Sequence, residues 1–407
     1  MDALRPFGLD AAQGPQMPRW LARAARLYAT LAVLFLFAYA AGVVLVALSG
    51  QTGGEARQVD FAALWGAGRL ALASDAVAAF DQVALRAAQS LPADAEEGEL
   101  FWLYPPGMAL ILAPFGALPY WAAWLLFGAI SISAFWAALS RFAAPVPIGP
   151  QILIAAPIVI ISLQLGQLGL LWAAGLCLAL RALATGNALA AGLIIGALSL
   201  KPQLGLLLPV ALIALWRWDV LVWACLGAVL VHGLPTLVTG VEYWAAFFDR
   251  IGAISASMDG GGTPHRLMIS PYAFFRFSGA GHLSAYMLQW ILTAMIAACV
   301  AYLWSRRPGR ANLAVGALMV AMPVATPYAY YYEMVLVVAG AVFLLRGGYG
   351  ARAGQAILLA AALLGPLVLF VWTEAAPLFA PLLLILAGDA ALAAARRTSV
   401  ASDPSQT

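Results

Sequence analysis

Four polar residues stand where long apolar runs break, and their side chains could support group-transfer chemistry. They are Asp60, Gln167, Lys201 and Glu333. A carboxylate held at a partly dry interface can act as a general base and take the proton of an attacking hydroxyl. An amide can hydrogen-bond hydroxyl groups, and a lysine ammonium can bind a phosphate as a compact point charge. Charged groups entering an apolar segment are costly, which makes Glu333 a functional candidate by default.

Three of these residues also have a simple structural interpretation. Asp60 stands where an N-cap would be, directly before the helical pattern that begins at Phe61. Residue physics alone favours this role, which is compatible with that of a base. Gln167 could bond the nearby backbone of a turn, and Lys201, the only lysine in the chain, could extend to the membrane interface. The residue types alone leave these alternatives open.

Two loop segments add further candidates. His265 and Arg266 follow residues 259–262, whose glycines are typical of a mobile turn, and they could close over a phosphate or an acceptor. Tyr328 and Glu333 belong to a tyrosine-rich run at a helix end.

Near Asp60 there is no DxD pattern or cluster of carboxylates, and the cysteines and histidines lack metal-ligand spacing. The sequence therefore predicts no metal and no cofactor.

The composition is that of a polytopic membrane protein. Of the 407 residues, 64% are hydrophobic and 10% charged, and the mean hydropathy is +0.91. Soluble domains carry about one-quarter charged residues. The net charge of +3 is small and the basic residues are scattered, which excludes nucleic-acid binding as a class. The three cysteines lie inside apolar runs, so no disulfide is predicted.

The apolar runs predict one all-α transmembrane domain over residues 27–395, between cytoplasmic segments at 1–26 and 396–407. The first run, 27–48, is about 20 residues long and follows several arginines, which indicates a retained helix with its N-terminus in the cytoplasm. About thirteen candidate segments follow the apolar pattern. Arginines at cytoplasmic helix ends require an even number of crossings, so about twelve are predicted. One segment between 104 and 165, with 104–118 as the candidate, would be re-entrant.

On this topology the polar residues gather on the outer face. They lie in two long outer loops, 51–106 and 240–283, and at breaks between helices. The first loop is predicted to form two amphipathic helices at the membrane surface, one starting at Asp60 and one at the Ser74-Asp75 pair. Separate polar spots on one face of the membrane predict a site at the outer interface.

Several short motifs are spread along most of the chain. The pattern D-F-x-x-x-W-x-A-G-R-L begins at Asp60. The later motifs are Ala79-Phe80-Asp81, Tyr104-Pro105-Pro106 with Pro114 and Leu118-Pro119, Gly166-Gln167, Lys201-Pro202 and Thr326-Pro327-Tyr328. Their order and spacing from about residue 60 to 333 resemble those of glycosyltransferase family 87.

The resemblance implies a membrane glycosyltransferase of the GT-C fold. Because the family contains polyprenol-phosphate-mannose-dependent alpha-mannosyltransferases, the implied donor is a polyprenyl-phosphate hexose such as mannose, and the implied acceptor is a glycolipid or glycan. Asp60 would be the base of an inverting transfer at the outer face of a bacterial inner membrane. The residues implied in substrate binding are Lys201, Gln167, His265, Arg266, Tyr328 and Glu333. Some family members carry histidines where this chain has Tyr331, Tyr332 or Glu333, a departure that bears on the acceptor and the sugar.

Two other classes are alternatives to transfer. A secondary transporter or lipid flippase also needs many apolar helices and a few buried polar residues, but transporters tend to show matching halves with broken helices at equivalent positions. The two long loops of this chain have no matching sequence. An inactive partner for envelope assembly is the second alternative, against which the intact Asp60 argues.

Overall fold

The computed structural model describes residues 19–48, 60–89, 101–143, 155–259, 265–306 and 311–400. Within these ranges the chain forms α-helices joined by short 3-10 turns, without strands. One isolated antiparallel bridge joins Met268 and Tyr330. The predicted all-α class is confirmed. The predicted boundaries of the cytoplasmic segments and of the single domain stay predictions.

The helices follow one another closely, and several begin at a proline. Those of the first half are α1 (Arg19–Leu48), α2 (Phe61–Leu72), α3 (Gln82–Ala88), α4 (Pro106–Gly116), α5 (Tyr120–Ala143), α6 (Pro157–Leu165), α7 (Gly169–Ala184), α8 (Ala188–Ala197) and α9 (Leu207–Ala214). Those of the second half are α10 (Trp218–Thr239), α11 (Glu242–Asp259), α12 (Pro271–Phe277), α13 (His282–Ser305), α14 (Ala311–Ala321), α15 (Val335–Arg346), α16 (Ala353–Leu364) and α17 (Phe379–Val400). Proline suits a first helical position because the N–H it lacks would be unpaired there.

Six helical stretches among the described residues are long and apolar enough to cross a membrane. They are Leu27–Leu45, Tyr120–Phe142, Trp218–Thr239, His282–Ser305, Ala353–Phe370 and Thr373–Ala395. The bent pair formed by α6 and α7 would make a seventh. The sequence predicts more membrane segments than the structure has long apolar helices. An apolar run in the sequence does not show whether its helix is continuous or broken. The number of crossings, about twelve, and the GT-C fold stay predictions.

Two short helices form the centre of the protein. All residues of α14 are buried, and so are nearly all residues of α15. They pack closely at two glycines, since a Cβ added to Gly340 would lie only 3.1 Å from the Gly316 carbonyl oxygen. At 12 residues or fewer, each is about 18 Å long or less, against a bilayer core of about 30 Å. They are apolar on all sides because other helices surround them.

The position of α2 corrects the expectation of an amphipathic helix at the membrane surface. Its residues 61–68 are all buried. Two glycines allow a close crossing with α4: a Cβ on Gly68 would strike the Leu112 carbonyl oxygen, and one on Gly116 would lie 2.5 Å from Arg69 N. This close packing places most of α2 inside the protein and leaves only its end, from Arg69 to Leu72, partly exposed.

The second helix predicted for the first loop is divided. Ser74 has a left-handed φ of 62°, and the 3-10 turn Ala76–Phe80 follows it. The helix α3 begins only after Asp81, whose carboxylate accepts a hydrogen bond from Ala84 N at 2.8 Å. Asp81 is therefore the N-cap of the second helix, and the Ser74-Asp75 pair is not.

The described parts of the second predicted loop, 240–283, are mostly helical. Helix α11 packs onto the end of the first loop through Tyr243, which is buried. The Tyr243 hydroxyl accepts a hydrogen bond from Trp102 Nε1 at 2.7 Å and donates one to the Tyr104 carbonyl at 3.1 Å. The glycines of the predicted mobile turn, 260–262, lie outside the described residues.

Candidate functional site

A sharp bend between α6 and α7 places Gln167 inside the protein. The helix direction changes by 117° between α6 and α7. Gly166 ends α6 with a left-handed φ of 66°, a conformation that glycine adopts without steric cost. A Cβ at Gly166 would lie only 2.5 Å from the Phe61 Cβ. Because Phe61 is the first residue of α2, this close approach brings the preceding residue, Asp60, to Gln167.

The Asp60 carboxylate bonds Gln167 rather than the start of α2. Asp60 Oδ2 accepts a hydrogen bond from Gln167 Nε2 at 2.5 Å, and within the described residues the side chain makes no capping bond. The N-cap role therefore does not account for this carboxylate. Burial raises the pKa of Asp60, and the Gln167 hydrogen bond and the charge of Lys201 lower it by less. A carboxyl with a raised pKa holds a proton more tightly than an exposed aspartate.

Lys201 lies between two 3-10 turns, Leu198–Leu200 and Pro202–Gly205. Its side chain is buried and forms an ion pair and hydrogen bond with Glu333 Oε1. The ammonium also lies 5.1 Å from the ring centroid of Tyr332, within cation–π range. The structure thus places this ammonium inside the protein, against the interpretation that it extends to the membrane interface.

Glu333 belongs to the 3-10 turn Tyr331–Met334, directly before α15. In the tyrosine run that contains it, the rings of Tyr330 and Tyr332 stack with centroids 5.6 Å apart. Burial, followed by the charge of Asp60, raises the pKa of Tyr331 to about 12. Tyr331 is therefore a neutral hydroxyl at physiological pH.

These breaks between helices meet in one place, called here the break cluster: Asp60, Gln167, Lys201 and Glu333. The charges of Lys201, Glu333 and Asp60 all act on Tyr104, whose pKa is raised chiefly by its own burial. Within the cluster one cation faces two carboxylates. Such a site can hold a base, bind hydroxyls and pair with an anionic ligand. Among the described residues, no group of three or more His, Cys, Asp or Glu side chains could hold a metal ion.

Two other predicted site residues, Arg266 and Tyr328, make their described contacts with residues outside the break cluster. Arg266 pairs with Glu374 at 2.8 Å, and both side chains are about half exposed. The Tyr328 hydroxyl lies 3.0 Å from that of Tyr286 in a separate aromatic group. His265 begins the same 3-10 turn as Arg266. Substrate roles for these three residues stay predictions.

Two residues at the break cluster belong to no motif of the sequence. They are Ser162, which is buried in α6, and Gly169, the first residue of α7. The signal for Ser162 is weak: it is a polar residue in the last turns of an apolar helix that ends at a left-handed glycine. Gly169 gives no separate signal because apolar membrane helices contain many glycines.

Comparison with known proteins gives a match to one family model. The model of glycosyltransferase family 87 matches residues 102–327, more than half of the chain. The match contains Gln167, Lys201, His265 and Arg266, whereas Asp60 precedes it and Glu333 follows it. No curated protein and no solved structure matches the chain.

Proposed function

We propose that this chain, which belongs to glycosyltransferase family 87, transfers a hexose from a polyprenyl-phosphate donor to a glycolipid or glycan acceptor, with Asp60 as the general base. The family and the long apolar helices make the protein a membrane glycosyltransferase. Mannose is the hexose that the resemblance favours. The donor, the acceptor, the inverting course and the base are the proposed parts.

The contact between Asp60 and Gln167 carries the proposal. Gln167 Nε2 binds Asp60 Oδ2 and fixes the carboxylate, so Oδ1 can accept the proton of an acceptor hydroxyl. Burial raises the pKa of Asp60 and makes it a better proton acceptor, while the Lys201 charge favours the ionised form that a base requires. Together these effects leave the pKa of Asp60 above its ordinary value.

In the proposed step, the acceptor oxygen bonds to the anomeric carbon as the bond from that carbon to the phosphate oxygen breaks. The phosphate leaves with the electron pair, the hydroxyl proton goes to Asp60, and the configuration inverts. Polyprenyl phosphate is already a good leaving group, so a cation and hydrogen-bond donors suffice to stabilise it. Lys201 is the cation of the break cluster that can pair with this charge.

We further propose that the break cluster faces the outside of a bacterial inner membrane. Helix α7 begins beside Gln167 and carries Arg181 in its last turn, and α15 begins beside Glu333 and ends with Arg346. Arginines concentrate at the cytoplasmic ends of membrane helices. The opposite helix ends, with the break cluster, are then external.

Transfer of labelled hexose tests this function. Membranes containing the wild type or Asp60→Asn receive polyprenyl-phosphate mannose and polyprenyl-phosphate glucose in separate assays. We expect the wild type to use one donor and the variant to lose at least about a hundredfold in rate. Asp75→Asn, an exposed aspartate in the same loop, is the matched control. Full activity of Asp60→Asn would exclude this base, and a wild type inactive with both donors would exclude the donor class.

A further inference from the structure

Three buried oxygen atoms at the bend between α6 and α7 make no hydrogen bond within the described residues. They are Ser162 Oγ, Gln167 Oε1 and Glu333 Oε2. Their residues are 0%, 4% and 1% exposed, respectively. Buried polar atoms in folded proteins nearly always have a partner, so three unpaired atoms close together require partners that the described residues do not supply.

Gly169, which has no side chain, lies beside two of these oxygens. A Cβ on Gly169 would lie 3.7 Å from Glu333 Oε2 and 3.9 Å from Ser162 Oγ. Both oxygens therefore border the same small volume. The third oxygen belongs to the amide of Gln167, whose nitrogen is bonded to Asp60. The unpaired atoms thus extend from the Lys201–Glu333 pair to the proposed base.

The types of these atoms define the ligand chemistry. A carboxylate oxygen and an amide oxygen can only accept hydrogen bonds, whereas a serine hydroxyl can donate or accept. A phosphate offers oxygen acceptors and would leave Glu333 and Gln167 unsatisfied. A sugar ring presents several hydroxyls at neighbouring positions, and each can donate to one oxygen while accepting from another group. Hydroxyls of a sugar ring therefore match the hydrogen-bonding types of these atoms.

We infer that Ser162, Gln167 and Glu333 form a hydroxyl-binding subsite for a hexose ring beside Asp60, an inference that rests on the proposed function. Glu333 uses Oε1 for Lys201 and Oε2 for one ring hydroxyl. Gln167 uses Nε2 for Asp60 and Oε1 for a second hydroxyl. Each of the two side chains therefore connects a charged residue of the break cluster to the sugar, and Ser162 completes the hydrogen bonding of the first hydroxyl.

The variant Gly169→Ala fills this space without removing a polar group. Its Cβ would meet its neighbours at 3.4 Å or more, which is ordinary contact, and alanine favours the helix that begins here. We expect it to fold and to lose at least about tenfold in kcat/KM, because the methyl group displaces a hydroxyl from its hydrogen bonds. Gly128→Ala in α5 is the matched control. Its Cβ would meet only Leu163, at 4.0 Å, and it is expected to transfer at the wild-type rate.

Sugars that lack one ring hydroxyl identify which hexose binds here. The probes are polyprenyl-phosphate mannose and octyl mannoside, each with single deoxy positions. For the hydroxyl that contacts Ser162, the wild type should lose about three- to tenfold in kcat/KM. Ser162→Ala should lose little more on that same sugar, because both changes remove one interaction. The effect assigns the donor hexose if it occurs in the donor series and the acceptor if it occurs in the other.

Equilibrium binding separates this subsite from the proposed base because it needs no turnover. Labelled donor and octyl mannoside are titrated into purified wild type, Asp60→Asn, Gly169→Ala and Ser162→Ala. Asp60→Asn should bind both probes as the wild type does, and Gly169→Ala should bind one of them at least about tenfold more weakly.

Wild-type binding and transfer by both Gly169→Ala and Ser162→Ala would mean that the oxygens hold buried water only. That result would overturn the subsite and leave Asp60 as the proposed base. Conversely, an active Asp60→Asn combined with weak binding by Gly169→Ala would support the subsite and remove the base.

Discussion

Two buried glutamines show how a structural polar group differs from one in the break cluster. Gln289 in α13 is fully bonded: Nε2 donates to Thr293 Oγ1 and to the Val324 carbonyl, both at 3.1 Å, and Oε1 accepts from Tyr272 N at 2.9 Å. Gln167 bonds a carboxylate through Nε2 and leaves Oε1 without a partner in the described residues. Burial is nearly equal at the two sites, so incomplete bonding and nearby charge distinguish the break cluster.

The same contrast runs along the segment that ends at Glu333. Near its start, Ser270 donates to the Pro327 carbonyl and Ile269 N donates to the Ala329 carbonyl, each at 2.9 Å. At its end, Glu333 pairs with Lys201 through one oxygen and leaves the other unpaired. A tyrosine-rich run thus serves packing at one end and, in our proposal, ligand binding at the other.

The largest effect is expected for Asp60→Asn, which should lower transfer by about a hundred- to ten-thousandfold with no loss of folding stability. Asparagine can still accept the Gln167 hydrogen bond. Because burial raises the pKa of Asp60, the folded protein favours the protonated carboxyl. The stability that protonated Asp60 contributes is full at low pH and is lost as the pH rises through the raised pKa. Transfer assays and chemical unfolding of the same preparation check both parts. A variant that loses both together would be a structural defect.

The next effect concerns the buried ion pair. Lys201→Met should lower the free energy of unfolding by about 3–5 kcal/mol, because Glu333 would stay buried without its counter-charge. The two side chains are 6% and 2% exposed, so solvent screens the pair little. Unfolding in detergent measures the loss. Lys201→Met combined with Glu333→Gln should regain part of it, and no recovery would show that the two charges do not act as a pair.

The pH profile sharpens the assignment of the base. Transfer requires ionised Asp60, so kcat/KM should fall about tenfold per pH unit below the raised pKa, at a higher pH than an exposed aspartate would give. Measurements of kcat/KM at several pH values in the wild type locate this acid limb. A limb at the pH of an ordinary aspartate would contradict the effect of burial.

The two glutamines themselves provide the direct comparison. Gln289→Ala should cost about 1–3 kcal/mol of stability because it leaves Tyr272 N and the Val324 carbonyl unpaired. Its folded fraction should transfer normally. Gln167→Ala should instead lower the transfer rate while changing the free energy of unfolding less than Gln289→Ala does. The reason is that it removes the hydrogen bond that fixes the Asp60 carboxylate. Unfolding and single-turnover rates of both variants test this, and equal behaviour of the two would remove the distinction.

The smallest effect is expected for Arg266→Ala. Its partner Glu374 is half exposed, as is Arg266 itself, and such surface pairs contribute about 0.2–1 kcal/mol. Unfolding should change by no more than this, and transfer should stay within about twofold. A loss of transfer of tenfold or more would support the sequence-based assignment of Arg266 to substrate binding.

The sequence was sufficient to predict the all-helical class and the family, but it did not separate Asp60, Gln167, Lys201 and Glu333 from the other predicted site residues. Polar residues at breaks in apolar runs are visible as interruptions, and charge rules placed them on one side of the membrane. The sequence could not show that Asp60 turns from its helix to Gln167, since that depends on the contact of Gly166 with Phe61.

The sequence also could not show which apolar helices are buried among other helices. The apolar pattern of α14 resembles that of a membrane span, but its residues face other helices rather than lipid. Likewise the apolar residues of α2 recur at helical spacing and suggested a surface helix, while close packing of Gly68 against α4 buries most of it. The hydrophobicity of a helix shows that it leaves water, but it does not show whether the helix is surrounded by lipid or by other helices.

The separation of the ion pair along the chain has a consequence for biogenesis. Lys201 and Glu333 are 132 positions apart, so at about 5–20 residues per second Glu333 is synthesised roughly 7–26 seconds after Lys201. A buried charge that lacks its counter-charge costs about 3–5 kcal/mol. We therefore expect the helices around Lys201 to reach their final packing only after the segment with Glu333 has been synthesised, so that this ion pair forms late in biogenesis.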